Sequence, residues 1–347
     1  MKIRYSELVS LGAVLLVAGC GGGGSSGGDG GATIPTTPVE ITTTNAQTVA
    51  KGAMGPAQDM AKSGGNYAGA IDGVAVATGV VSQPSGLSHS LLDLSLSKFA
   101  QARDMQLAPA AGPVGVIAGS PMTSPCAVSG TETINAQDVN NNAKLDAGDV
   151  LTMSFSNCND GYSTENGSMT FAVSSLSAAG TMPLTTVFTL TFNQYSNKVN
   201  ATGATETVNG DINFSTSNNG TDTTGTMSGT SISMTSSVDG AFRMTNYNFS
   251  FTEANTPTTT TPYSFSATAT TASTFAGGSI TIATPTAFTG VGSGNPTAGV
   301  MVITGANGGT LTLTARSDGT HVGLAFDDDG TGPHSPQALA DTTWAAL

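Results

Sequence analysis

Phe188-Thr189-Leu190-Thr191-Phe192 sets an apolar side chain at every second position, with threonine between. Successive side chains of a strand point to opposite faces, so Phe188, Leu190 and Phe192 line one face and the threonines the other. The same alternation recurs on both sides of this stretch, in Phe171/Val173, Ile212/Phe214, Ile232/Met234, Phe242/Met244, Phe249/Phe251, Tyr263/Phe265, Ile280/Ile282, Leu311/Leu313 and Val322/Leu324/Phe326. Each run predicts a strand with one face in a core and a hydroxyl-rich face in water. Between runs lie Asn166-Gly167, Asn209-Gly210, Asn219-Gly220, Asp239-Gly240, Asn307-Gly308 and Asp318-Gly319. Such pairs tolerate the positive φ of tight hairpins and read here as turns. The expectation is a mainly β fold over 126–347: a long antiparallel meander of ten to twelve strands, forming a curved sheet or open barrel because long flat sheets are disfavoured. A Thr/Ser second face lacks the apolar band and aromatic girdles of a membrane-spanning barrel.

Residues 45–125 read as a partly helical segment with one or two helices. A capped, Ala-rich helix is expected from Asn45 to about Lys62, interrupted at Gly52 and Pro56. A second is expected from Ser90 to Gln106, where Leu92, Leu96, Phe99 and Arg103 fall at helical spacing.

The chain opens with Lys2 and Arg4, an uncharged run from Leu8 to Ala18, and Gly19-Cys20. This basic, apolar, small-residue order is that of a secretory signal. Its apolar run of about 11 residues is too short for a permanent transmembrane helix, which needs about 20. Leu16-Val17-Ala18-Gly19-Cys20 resembles the lipobox of bacterial lipoproteins. The resemblance covers this signal only. It implies that Cys20 is alkylated with diacylglycerol, that residues 1–19 are cut away, and that the new amino group is acylated. Gly21 stands where an aspartate would imply inner-membrane retention, so the resemblance implies a lipid anchor in the outer membrane.

Residues 20–44 begin with glycines and Gly/Ser alternation and read as a flexible tether, because they offer little to bury. The net charge is −13, with only 10 Lys and Arg. Residues 1–19 hold two of those cations and one acid, so the remainder is one unit more acidic. Nucleic acid is therefore not an expected partner, and membrane attachment falls to the lipid on Cys20.

With Cys20 committed to lipid, Cys126 and Cys158 are the two remaining thiols, and outside the cytosol they are expected to form a disulfide. Between them lies Asp138-Val-Asn140-Asn-Asn142-Ala-Lys144-Leu-Asp146-Ala-Gly-Asp149. Counted from Asp138, oxygen side chains fall at positions 1, 3, 5, 9 and 12, and the Lys144 backbone carbonyl at 7, the calcium-ligand spacing of an EF-hand loop. The stretch resembles EF-hand and dockerin-type calcium loops, although Ala143 replaces the turn glycine and Val150-Leu151-Thr152-Met153 alternates as a strand. Bound Ca2+ and a metal-free Asn/Asp-rich connection both remain open. Asp327, Asp329 and Thr331 form a weaker metal candidate, and Trp344 reads as a plug on the core.

Apart from calcium, no cofactor is expected. The histidines His89, His321 and His334 are scattered, and no H-E-x-x-H motif appears. The expectation is a non-catalytic structural or interaction module of the cell envelope, its partner an unidentified protein. The alternative is a curved-sheet carrier for an acyl chain or other apolar ligand. An envelope hydrolase is a lesser alternative, since triads are defined by geometry and not by sequence order.

Overall fold

The computed structural model describes residues 33–54, 121–140, 146–177, 182–238, 240–254, 261–274, 276–292, 294–328 and 336–347. The fold is mainly β, as the alternation predicts. In chain order the strands are β1 (Met122–Pro125), β2 (Ser129–Gln137), β3 (Val150–Asn159), β4 (Ser163–Leu176), β5 (Leu184–Val199), β6 (Thr205–Asn218), β7 (Asp222–Ser236) and β8 (Gly240–Ala254). There follow β9 (Pro262–Ser273), β10 (Gly278–Val291), β11 (Ala298–Thr304), β12 (Thr310–Ala315), β13 (His321–Asp327), β14 (Gln337–Ala338) and β15 (Thr342–Thr343). Every strand from β1 to β14 pairs antiparallel with its neighbour in sequence, and β15 pairs with β13. The path is open, with β1 at one edge and β14 at the other.

The count exceeds the expected ten to twelve because β1, β14 and β15 are too short to show alternation. The sheet also starts before Cys126, at Met122. In each long strand the alternating apolar residues face one way. Phe188, Leu190, Ile212, Phe214, Ile280, Leu311 and Leu313 are all buried, while Thr189 and Thr312 on the other face are only half-buried. Hydroxyls pair across that outer face, Thr152 with Thr170 at 3.1 Å and Ser250 with Ser266 at 2.7 Å.

Two of the expected turns are not turns. Asn166-Gly167 lies inside β4 and Asn209-Gly210 inside β6. Each stands opposite a bulge in a neighbouring strand. The backbone N–H of Asn157, at φ 47°, donates to Asn166 Oδ1 at 2.8 Å, and that of Gln194, at φ 48°, to Asn209 Oδ1 at 2.6 Å. The bulged residues gain an acceptor for the N–H that the ladder cannot use. Gly167 has φ 85°, and a Cβ there would overlap the Gln194 carbonyl oxygen; Gly210 stands likewise against Ser231. A third bulged residue, Asn246 at φ 49°, lies in β8. These irregularities run as a seam across β2 to β8, where bulges and glycines bend a sheet. By contrast, Asn219-Gly220, Asn307-Gly308 and Asp318-Gly319 do lie in turns, and Gly240 opens β8; Asp239 is outside the described residues.

A single apolar cluster occupies the inward face and extends from Ile134 to Leu347. Residues 46–54 form the one α-helix among the described residues, α1, which runs through Gly52. Thr42 and Asn45 cap its start, the Asn45 N–H donating to Thr42 Oγ1 at 3.3 Å and the Thr42 N–H to Asn45 Oδ1 at 2.8 Å. Ala46, Val49, Ala50, Ala53 and Met54 make a buried stripe at helical spacing. Gly52 has Ala276 as its neighbour, and Gln47 donates to Thr342 Oγ1 at 3.3 Å, so α1 lies against the C-terminal part of the sheet. The rest of the first expected helix and all of 90–106 lie outside the described residues.

Residues 36–41, placed by the sequence reading in the tether, instead dock on the sheet. Pro38 bridges Ser279 in parallel, and Val39 exchanges backbone hydrogen bonds with Ser279 and Ala306. The cause is local: Val39 and Ile41 are apolar at period two and are buried.

Candidate functional site

The hairpin β2–β3 carries two of the features singled out by the sequence. Cys126 and Cys158 are joined by a disulfide, with Cα atoms 5.4 Å apart. They sit where Ser129 of β2 pairs with Asn159 of β3. The 138–149 connection is at the other end of the hairpin, roughly 27 Å away along β2 at about 3.4 Å per residue. The disulfide therefore ties the hairpin's open end to β1 and does not staple the acidic loop, as a reading from chain order suggests.

Of the proposed calcium ligands, Asp138, Asn140, Asp146 and Asp149 fall in described residues; Asn142 and Lys144 do not. Asp149 is buried, and its carboxylate reaches back to the start of the loop. Its Oδ1 accepts the Val139 N–H at 3.0 Å and its Oδ2 the Asp146 N–H at 2.8 Å. Asn140 Nδ2 donates to both Asp146 carboxylate oxygens, at 3.0 and 2.9 Å. Side chain-to-backbone bonds thus close the described ends of the loop around Asp149. The donors are the hard oxygens that calcium takes, and Asp149 spans the loop as a closing ligand must. Among the described residues no group of three His, Cys, Asp or Glu side chains gathers as a metal site. In the second acidic stretch Asp327 ends β13, half-buried, and Asp328 is exposed; Asp329 and Thr331 lie outside the described residues.

A charged cluster that the sequence reading missed closes the β12–β13 turn. Arg316 clamps Asp341 through Nε at 3.0 Å and Nη2 at 2.8 Å, which holds the Asp341 carboxyl below its usual range. Asp318 Oδ2 meets His321 Nδ1 at 2.6 Å while its Oδ1 accepts the Thr320 and His321 N–H groups. These bonds to the charged form, led by that from His321, bring the Asp318 carboxyl down to about 2. The nearest sequence signal was Asp318-Gly319, which marks the turn and not the pairing.

The inward face also carries polar rows near its two rims. At one rim Cys158 pairs with Glu165, Glu165 with Asn197, Asn197 with Glu206, and Glu206 with Ser236, one residue from each of β3 to β7. Glu165 and Asn197 are buried, at 2% and 9% exposure; Glu206 and Ser236 are half-buried. Tyr195, two residues along β5 and fully buried, has its phenol pushed above its ordinary value by burial first and then by Glu165. At the other rim Asn218 pairs with Thr223 and Thr223 with Glu253. Burial pushes the Glu253 carboxyl up to about 7. Glu165 and Glu206 share parity with Phe171 and Ile212 and could have been placed on the core face from sequence. Tyr195 and Asn197 could not, because the bulge between Phe192 and Tyr195 reverses the parity of β5.

Trp344 is buried, its ring edge-on to Phe288 with centroids 5.8 Å apart. No helix among the described residues is long and apolar enough to cross a membrane. No protein-family model, curated protein or solved structure matches the chain.

Proposed function

We propose that the chain is a lipid-anchored module of the cell envelope, attached through Cys20 and acting as a structural or interaction body without turnover of a substrate. The open sheet with α1 is the body that this anchor carries. The observation that supports this reading over a carrier of acyl chains is the state of the inward face. Met54, Phe171, Leu190, Phe214, Met227, Phe288 and Leu313 each have 0–1% of their surface exposed, and α1 and Trp344 complete the layer. An apolar ligand needs wall residues with surface to give up, and these have none. The surface left for a partner is the outer face, where Thr, Ser and Asn dominate.

Expression in a bacterium that exports and acylates tests the address. Mass analysis of the purified protein should show a chain that begins at Cys20 and carries fatty acid, and Cys20→Ser should leave the body soluble after cell lysis. A chain retaining Met1 with no fatty acid ends the proposal. For the module itself, native mass spectrometry of protein taken from membranes should show no non-covalent lipid on the body. A stoichiometric fatty acid displaced by added fatty acid would instead establish carriage.

We further propose that Ca2+ binds the 138–149 loop as a structural ion, with Asp138, Asn140, Asn142, the Lys144 carbonyl, Asp146 and Asp149 as its donors. Removal of calcium with a chelator should lower the melting temperature of the full chain, and Asp149→Asn should reduce that dependence. Equal melting across millimolar calcium in the unsubstituted chain would remove the ion from the loop.

A further inference from the structure

The row Glu165–Asn197–Glu206 is placed as few acidic clusters are, inside the apolar face and on three consecutive strands. Directly opposed residues of an antiparallel pair hold their Cβ atoms about 4.5–5.5 Å apart. The two carboxylates therefore flank a central amide, all three on the inward side. The amide oxygen of Asn197 is buried with no hydrogen-bond partner, and the hydroxyl of Tyr195, on the same face of the same strand, is buried against Glu165. A buried polar oxygen without a partner is costly, and proteins rarely leave one. Such an oxygen between two carboxylates forms, with the nearby Tyr195 hydroxyl, an oxygen-only donor set that wants a hard positive charge.

We propose that Glu165, Asn197 and Glu206 form a calcium site at the rim of the inward face, with the Tyr195 hydroxyl beside it. Calcium takes six to eight oxygens at about 2.3–2.6 Å in irregular arrangements and accepts carboxylates singly or bidentately, which suits side chains converging from adjacent strands. Magnesium demands a near-ideal octahedron, and zinc favours nitrogen and sulfur, so neither matches this set as well. Entry is from the rim: Glu206 is the second residue of β6 and Ser236 the last of β7, and both keep some exposure. Bound there, the ion joins β4, β5 and β6 just beyond the bulge at Gln194, and Cys158 borders it on the disulfide side. This site is separate from the 138–149 loop, which lies at the opposite end of β3, and it does not depend on acylation of Cys20.

The test uses the full chain in detergent, with Ca2+ followed by calorimetry and with Tb3+, which occupies calcium sites and emits when a nearby tyrosine is excited. The expected result is tyrosine-excited Tb3+ emission that Ca2+ displaces. Glu165→Gln and Glu206→Gln should each weaken calcium binding by about tenfold or more, since each removes a charged ligand. Tyr195→Phe should lose most of the emission while calorimetric Ca2+ binding stays within about threefold, which corresponds to less than 1 kcal/mol. Asp149→Asn should leave the emission unchanged. The proposal is overturned if no emission is displaced by Ca2+, or if both glutamine variants bind like the parent. It is equally overturned if Asp149→Asn alone abolishes the signal, which would place the ion in the loop. Glu206 is half-exposed, so its glutamine variant should fold even if Glu165→Gln does not; metal-free melting of each variant verifies that folding.

Discussion

At Gly167 and Asn166 a dipeptide that ordinarily makes a turn is used to bend a sheet. Glycine admits the positive φ and the close carbonyl of Gln194, and the asparagine satisfies the bulged N–H of Asn157. Gly167→Ala should destabilise the fold by at least about 2 kcal/mol, combining a left-handed backbone with a steric overlap. Denaturant unfolding would show it, and a loss under about 0.5 kcal/mol would mean that the seam is not rigid. Titration supplies a second prediction at this scale. Glu253 has its carboxyl raised to about 7 from an ordinary 4.5, so the folded state holds its proton more tightly than the unfolded chain does. Stability from this group is present below about pH 4.5 and is lost as pH rises towards 7. Glu253→Gln should flatten that part of the stability–pH curve, and an unchanged slope would refute the assignment. Asp318 works in the opposite sense: its contribution is present above pH 3.8 and disappears as pH falls towards 2, and Asp318→Asn should remove that acid limb.

Among the elements, the hairpin β2–β3 separates two roles that the sequence places side by side. The disulfide closes a loop of 32 residues at the hairpin's open end, and Cys126→Ser with Cys158→Ser should cost about 3–4 kcal/mol in the loop-closure model. The loss should appear as earlier melting of β1 to β3, with little change in the hydrogen bonds that Asp149 makes at the far end. Hydrogen exchange resolved by residue distinguishes this from a loosened acidic loop. Strand existence was legible here because period two survives in single strands: Phe188, Leu190 and Phe192 announce β5. What alternation could not reveal is where it reverses. Phe242/Met244 and Phe249/Phe251 read as two runs, yet they are one strand, β8, broken in parity by Asn246. The same kind of reversal hid Asn197, and with it the rim row. Residue type cannot announce a bulge when the residue at positive φ is a glutamine, as at 194.

For the whole molecule, the pairing of β1 to β14 runs between neighbours in sequence, while the apolar layer does not. Val39, Ile41 and the stripe of α1 pack against strands from the far end of the chain. Met54→Ala should therefore cost about 2–5 kcal/mol, and Trp344→Ala about 3–5 kcal/mol, as large-to-small changes in a filled core do. The Trp344 change should also raise amide exchange in residues 46–54, since Gln47 and the strand just before Trp344 are joined by a hydrogen bond. Exchange confined to the C-terminal residues would show that α1 is held independently. The sequence hid these contacts because Gly/Ser/Thr composition made 20–44 look uniformly unstructured, although its last apolar pair docks. A polypeptide emerges N-terminal side first, so each hairpin can zip onto the one before it, but the segment around Val39 has nowhere to bind until β10 to β13 have followed. Residues 36–41 are thus made before the sheet and secured among the last, and a prematurely terminated product would carry them unseated as its mark.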